Sequence, residues 1–158
     1  MNIGVIGCGN ISDTYFESQK IFNNLSIIAC ADLIKDLADQ KANKYNIKSQ
    51  SIDELFENDG IDLILNLTIP SAHKEIIIRS LESGKHCYSE KPLAINFNDG
   101  LEIQEITHKK NLLVGCAPDT FLGAAGQKAR ELIENNFLGK IVLGTFNIMS
   151  HGYGGLAS

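Results

Sequence analysis

The chain has 158 residues, 44% of them apolar and 21% charged, with 14 Gly, 3 Pro and a net charge of −5. This length carries one well-formed core more readily than two, and an acidic chain without a basic run is a poor partner for nucleic acid. No apolar stretch approaches the ~20 residues of a membrane span. MNIGVIGCG lacks the charged start of a signal peptide, so a cytoplasmic protein with no membrane partner is expected.

Asn2–Ile6 reads as a strand, after which GCGNIS turns into a helix expected to send Ile11, Tyr15, Phe16 and Phe22 toward a core. Ser26–Ala31 (SIIACA) is a second buried strand ending at Asp32, and Leu37, Ala38, Lys41 and Ala42 at helical spacing predict a helix over Lys35–Tyr45. An extended piece over 47–50 leads to SIDELFEN, where Ser51 and Glu54 have the spacing of a capping box. IDLILNL (61–67) is a nearly continuous apolar strand, and the helix after IPSAH has Ile76, Ile77 and Leu81 on one face and is closed by Gly84. His86–Ser89 is the next strand, 96–110 a helix ending in the basic HKK, and 112–117 a sixth strand. Continuous apolar strands alternating with helices predict an α/β fold, a doubly wound parallel sheet of the Rossmann type.

Beyond Ala117 the texture changes. A helix is expected over 123–136 and one more strand over 141–149, before a glycine-rich end. The expected division is therefore a doubly wound α/β domain over 1–118, and a connecting helix and first strand of an incomplete further unit over 119–158. An unpaired apolar strand at 141–149 seeks another strand, which predicts self-association into a homo-oligomer or disorder of that segment.

Cys8, Cys30, Cys87 and Cys116 form no CxxC pair, and the histidines have no metal-like spacing, so no metal site is expected. The chemistry gathers instead at strand ends. Gly7 suits a tight turn between strand and helix, and Gly9 lets a pyrophosphate approach the backbone, with Asn10 and Ile11 completing the loop. Ser12 stands where a third glycine is usual. Asp32, ending the second strand, can accept the ribose hydroxyls of adenosine and repel a 2′-phosphate, although an aspartate there also caps helices well. Lys35 nearby leaves NADP open beside NAD. Thr68 and Pro70 end the fourth strand, with His73 at the start of the helix that follows. Glu90-Lys91-Pro92 ends the fifth. Pro92 restricts Lys91 and allows a cis peptide, and an ammonium beside a nicotinamide can bond a substrate hydroxyl and stabilise alkoxide character.

GCGNIS, ACADL (29–33), NLTIPSAH (66–73), GKHCYSEKPLA (84–94) and GCAPDTFLGAAGQKAR (115–130) stand in the order and spacing of the Gfo/Idh/MocA family of NAD(P)-dependent oxidoreductases, which the chain resembles over nearly its whole length. The resemblance implies that Lys91 is the catalytic lysine and that Glu90 shapes the nicotinamide site. Thr68, Pro70 and His73 would line an NAD cofactor, and a sugar or polyol would be the substrate. Members of that family are more than twice as long and carry an Asp and a His of the site in a second domain. The chain thus reads as the cofactor half of such an enzyme, truncated or cut from a longer protein. A non-catalytic nucleotide-binding or regulatory module is the competing reading. A methyltransferase-like binder shares the GxG and the acid but leaves EKP unexplained.

Overall fold

The computed structural model describes residues 1–145, 147 and 149. It divides into two compact units, Met1–Pro118 and a second beginning at Asp119.

The first unit is a sheet of six parallel strands, β1 (Asn2–Ile6), β2 (Ser26–Ala31), β3 (Lys48–Ser49), β4 (Leu63–Asn66), β5 (His86–Ser89) and β6 (Val114–Cys116), in the order β3-β2-β1-β4-β5-β6. The order reverses between β1 and β4, the topological switch point of a doubly wound sheet, which is where such folds open a crevice at the carboxyl ends of their strands. The connecting helices are α1 (Ser12–Ser18), α2 (Lys35–Tyr45), α3 (Ile52–Glu57), α4 (His73–Glu82) and α5 (Phe97–Lys110).

Strand alternation sorts the core onto two faces. Val5, Cys30 and Leu65 point to the side where Phe16 of α1 and Ala38 and Ala42 of α2 pack. Ile6, Ala29, Ala31 and Ile64 point to the other, against Leu55 and Phe56 of α3 and Ile76 of α4. Ile77, Leu81, Cys87 and Ile103 continue that second layer under α4 and α5. Phe16 is fully buried and stacks on Tyr45 with ring centroids 4.6 Å apart; truncating such a residue to alanine costs about 3–5 kcal/mol.

Local chemistry sets the element ends. The capping box is present: Ser51 accepts from the Glu54 N–H and the Glu54 carboxylate accepts from the Ser51 N–H. Asn96 caps α5 by accepting from the Asp99 N–H, and His108, Lys109 and Lys110 occupy its last turn, where cations face the negative end of the helix dipole. Gly84 closes α4 with φ +76°.

Two expectations fail. The helix after GCGNIS ends at Ser18 and then unwinds through turn bonds from Lys20 N–H to Glu17 O and from Ile21 N–H to Ser18 O. Phe22 therefore lies beyond it, and Ile11 precedes it on the loop. Both are exposed, at 51% and 46%, so Phe16 and the half-buried Tyr15 carry the packing of this helix. In the second unit a tight turn over Asp119–Leu122 precedes α6 (Ala124–Glu134), but the strand expected over 141–149 is absent from 141–145. A strand needs a neighbour for its backbone groups, and none of the described residues pairs with this one. Residues 146 and 148 of that segment, and His151 with the rest of the glycine-rich end, lie outside the described residues.

Candidate functional site

The loop after β1 presses against the end of β4. Gly7 has φ +103°, and a Cβ there would lie 2.6 Å from the carbonyl carbon and oxygen of Leu67 and 2.9 Å from the Thr68 nitrogen. Only glycine fits this turn. Gly9 is the opposite case: a Cβ on it would meet no atom within 4 Å. Its backbone is bare toward open space, the condition for close approach of a diphosphate. Ser12 is fully buried, and its hydroxyl donates to the Gly9 carbonyl at 2.6 Å, so this small residue anchors the loop where a third glycine would allow close packing.

Asp32 holds the same loop from the side. Its carboxylate accepts from the Cys8 N–H at 2.7 Å and from the Ile34 N–H at 2.8 Å. Each carboxylate oxygen keeps a lone-pair direction for a further donor such as a ribose hydroxyl. Beneath the loop the Cys8 thiol is pushed up by its hydrogen bond with the Cys30 thiol and by burial, which makes it an inert core group. Lys35 pairs with Asp39 at 3.0 Å on the surface of α2.

Gly7, Gly9, Asp32 and Thr68 converge on one cavity of about 500 Å³ between the ends of β1, β2 and β4. Its far wall is apolar, with Leu33, Ile52, Ile69 and Ile76, and it carries Asp53, Glu75 and Arg79. The Arg79 guanidinium lies 4.4 Å from the centre of the Phe56 ring and pairs with Asp53. Nothing in their local sequence sets these charged residues apart. The volume is within the range of small-molecule sites, about 300–1,000 Å³.

Asn10, Ile11, Pro70, His73, Glu90 and Lys91 do not line this cavity. Pro70 begins the tight turn Pro70–Ala72 ahead of α4. His73 is fully buried, its Nδ1 2.6 Å from the Pro92 carbonyl oxygen and its Nε2 3.0 Å from the Thr68 carbonyl oxygen, so neither ring nitrogen is left to touch a ligand. Glu90 and Lys91 follow β5, next to β4, about 10 Å or two strand spacings from the loop after β1. The Glu90 carboxylate is held by Tyr15, whose hydroxyl donates at 2.7 Å, and accepts from the Lys91 N–H at 3.0 Å. Tyr15 thus ties the glycine-loop helix to the EKP turn, a role that its place in a packing pattern concealed. The Lys91–Pro92 peptide is cis, and the Lys91 side chain is exposed. Among the described residues no ion pair engages its ammonium.

A crevice at the switch point of a parallel sheet, with an open glycine backbone on one side and a carboxylate at the end of β2, defines a dinucleotide-binding Rossmann domain. Residues 1–117 match the family model described as "Oxidoreductase family, NAD-binding Rossmann fold", GFO_IDH_MocA, and the chain belongs to that family. It is 28% identical over 142 residues to the myo-inositol 2-dehydrogenase of Thermotoga maritima, covering 89% of this chain and 42% of that protein. It is 28% identical over 106 residues to the scyllo-inositol 2-dehydrogenase (NAD(+)) of Bacillus subtilis, covering 64% of this chain and 30% of that one. The crystal structure of a probable dehydrogenase from Thermotoga maritima superposes with a TM-score of 0.81 at 27% identity, covering 89% of this chain and 43% of that one. The chain spans less than half the length of each of these relatives. Among the described residues no helix is long and apolar enough to cross a membrane, and no cluster of His, Cys, Asp and Glu is suited to a metal ion.

Proposed function

We propose that this chain is the cofactor-binding part of an NAD-dependent oxidoreductase that transfers hydride between the nicotinamide and a sugar or polyol hydroxyl. The observation that carries the proposal is the convergence of Gly7, Gly9, Asp32 and Thr68 on one cavity, with Lys91 exposed on the adjoining edge of the same sheet. The names of the inositol dehydrogenase relatives supply the substrate class.

Bound nicotinamide supplies the hydride acceptor. The protein's own residues bind and orient. Gly9 gives the diphosphate an unobstructed backbone, Asp32 takes the adenosine ribose, and Leu33, Ile52 and Ile69 offer apolar walls to the adenine. The carboxylate of Asp32 sits where a 2′-phosphate would go, which favours NAD over NADP because two like charges at that distance repel. Lys91 holds the substrate hydroxyl and stabilises the oxygen as its negative charge develops, with Glu90 fixing the turn through the Lys91 N–H. The segment from Asp119 onward begins the substrate-binding part. A cytoplasmic location and a homo-oligomeric state are part of the same proposal, and sedimentation of the purified protein tests the second.

Titration of NADH fluorescence tests the binding claim, with S-adenosylmethionine as competitor. Saturation by NADH, displaced by NAD but not by S-adenosylmethionine, is expected. Absence of saturation up to millimolar NADH refutes the reading, and preferential displacement by S-adenosylmethionine replaces it with a methyltransferase-like binder.

A further inference from the structure

His73 has an unusual pair of partners. Both are backbone carbonyls, Pro92 O at 2.6 Å and Thr68 O at 3.0 Å, and both belong to loops that end a strand at the crevice edge. Carbonyl oxygens only accept, so a hydrogen bond here is donated by a ring N–H; a neutral imidazole carries one, and the shorter contact, to Pro92, is its natural partner, with the other ring nitrogen set against Thr68. Asn66, fully buried at the end of β4, completes the network. Its Oδ1 accepts from the Thr68 hydroxyl at 2.7 Å and from the Thr68 N–H at 3.2 Å, its Nδ2 donates to the His73 carbonyl at 3.3 Å, and its own carbonyl accepts from the Glu90 N–H at 2.9 Å. The loop with Thr68 and the turn with Lys91 are thus joined through the interior by one ring. Core packing alone does not call for such a bridge, because Thr68 and Pro92 follow adjacent strands whose ladder ends at Asn66 and Ser89.

We propose that His73 is a positioning residue: its ring fixes the spacing between the Thr68 loop and the Lys91–Pro92 turn, and so sets where Lys91 stands relative to the nicotinamide end of the crevice. The functional half of this inference rests on the proposed cofactor role; the spacing half does not. Two variants separate the contacts. The amide of His73→Asn falls near the position of Nδ1 and can keep the Pro92 bond, whereas that of His73→Gln reaches the position of Nε2 and keeps only the Thr68 contact.

Hydrogen exchange of the ligand-free 158-residue protein reads positioning without any cofactor. His73→Gln should raise amide exchange across residues 89–94 about tenfold, the effect of one lost hydrogen bond, while His73→Asn stays within about twofold of the unmodified protein. NADH and ADP-ribose titrations read the consequence. His73→Gln should weaken NADH about tenfold and leave ADP-ribose, which lacks the nicotinamide, within about twofold. Unchanged exchange at 89–94 in His73→Gln overturns the proposal. So does equal loss of both ligands with a lowered Tm, which marks a role in the fold alone. If the unmodified protein binds neither ligand, the cofactor reading fails, and the exchange result still decides whether His73 sets the turn.

Discussion

The two glycines of the first loop make opposite predictions, and the structure supplies the magnitudes. In Gly7→Ala the new residue must hold φ +103°, and its Cβ would sit 2.6 Å from backbone atoms of Leu67, where ordinary contact begins near 3.4 Å. The backbone strain costs about 1–3 kcal/mol. Relieving the clash requires the end of β4 to retreat by nearly 1 Å, an overpacking cost of about 1–3 kcal/mol more. A loss of about 4 kcal/mol corresponds to a Tm lower by roughly 10 °C in a chain of this size. Gly9→Ala meets nothing within 4 Å, so its Tm should stay level or rise slightly as the unfolded chain loses freedom. Its methyl instead occupies the space a diphosphate needs, which should weaken NADH at least about fivefold. Thermal unfolding by circular dichroism and NADH fluorescence titration measure the two quantities. A Gly7→Ala protein melting within about 2 °C of the unmodified one refutes the close-approach argument. A Gly9→Ala protein with unchanged NADH affinity refutes the placement of the diphosphate.

Asp13 is held well below the usual carboxylate range by the Lys41 ammonium and the Tyr45 hydroxyl, which dock α1 on α2. A depressed carboxylate stabilises the fold above its unfolded pKa and loses that contribution as pH falls toward the folded value. Asp13→Asn should therefore melt lower than the unmodified protein at pH 7, with the gap closing as pH drops below about 4; a gap independent of pH contradicts the assignment. Asp32→Ala removes the acceptor of the Cys8 and Ile34 N–H groups and the charge that faces a ribose, so NAD affinity should fall about tenfold or more and the preference over NADP should shrink in competition titrations. Burial pushes the Cys87 thiol up to about 12, whereas Cys116 is only partly buried. Thiol-reactive dye at pH 8 should therefore label Cys116 first in the native protein, and equal rates at both would show that the β5 layer opens freely.

Much of this fold is written locally. β1, β2 and α2 fall where hydrophobic spacing places them, and Ser51 with Glu54 announces α3 because the capping chemistry spans only three residues. Strand ends are less legible: of the apolar run 61–67 only Leu63–Asn66 is regular strand, although the Asp62 and Leu67 N–H groups on either side still donate to Asn2 and Ile6 of β1. Phe22 misleads because an aromatic residue at helical spacing says nothing about whether the helix has already ended. An apolar, β-branched segment at 141–145 likewise has the composition of a strand without a partner to make it one.

The site was legible to the extent that it is built from backbone. Gly7, Gly9 and Asp32 carry their proposed roles in residue type and in their position after a strand. The Tyr15–Glu90 bond joins residues 75 positions apart, and the His73 bridge depends on two loops meeting in space, so neither has a local signature. Arg79 and Asp53 enter the cavity wall for the same reason, through the packing of α4 against α3.

The central claim is that one dinucleotide lies from Asp32 across Gly9 to the Lys91 turn, and amide chemical-shift mapping of the isotope-labelled protein tests it most directly. With NAD, the amides of Gly7 to Ile11, of Asp32 and Leu33, of Thr68 and Ile69, and of Glu90 and Lys91 should shift together with one dissociation constant. ADP-ribose should reproduce the first three groups and leave Glu90 and Lys91 unmoved. Shifts confined to a surface away from these loops, or a Lys91 response identical for both ligands, would contradict the account.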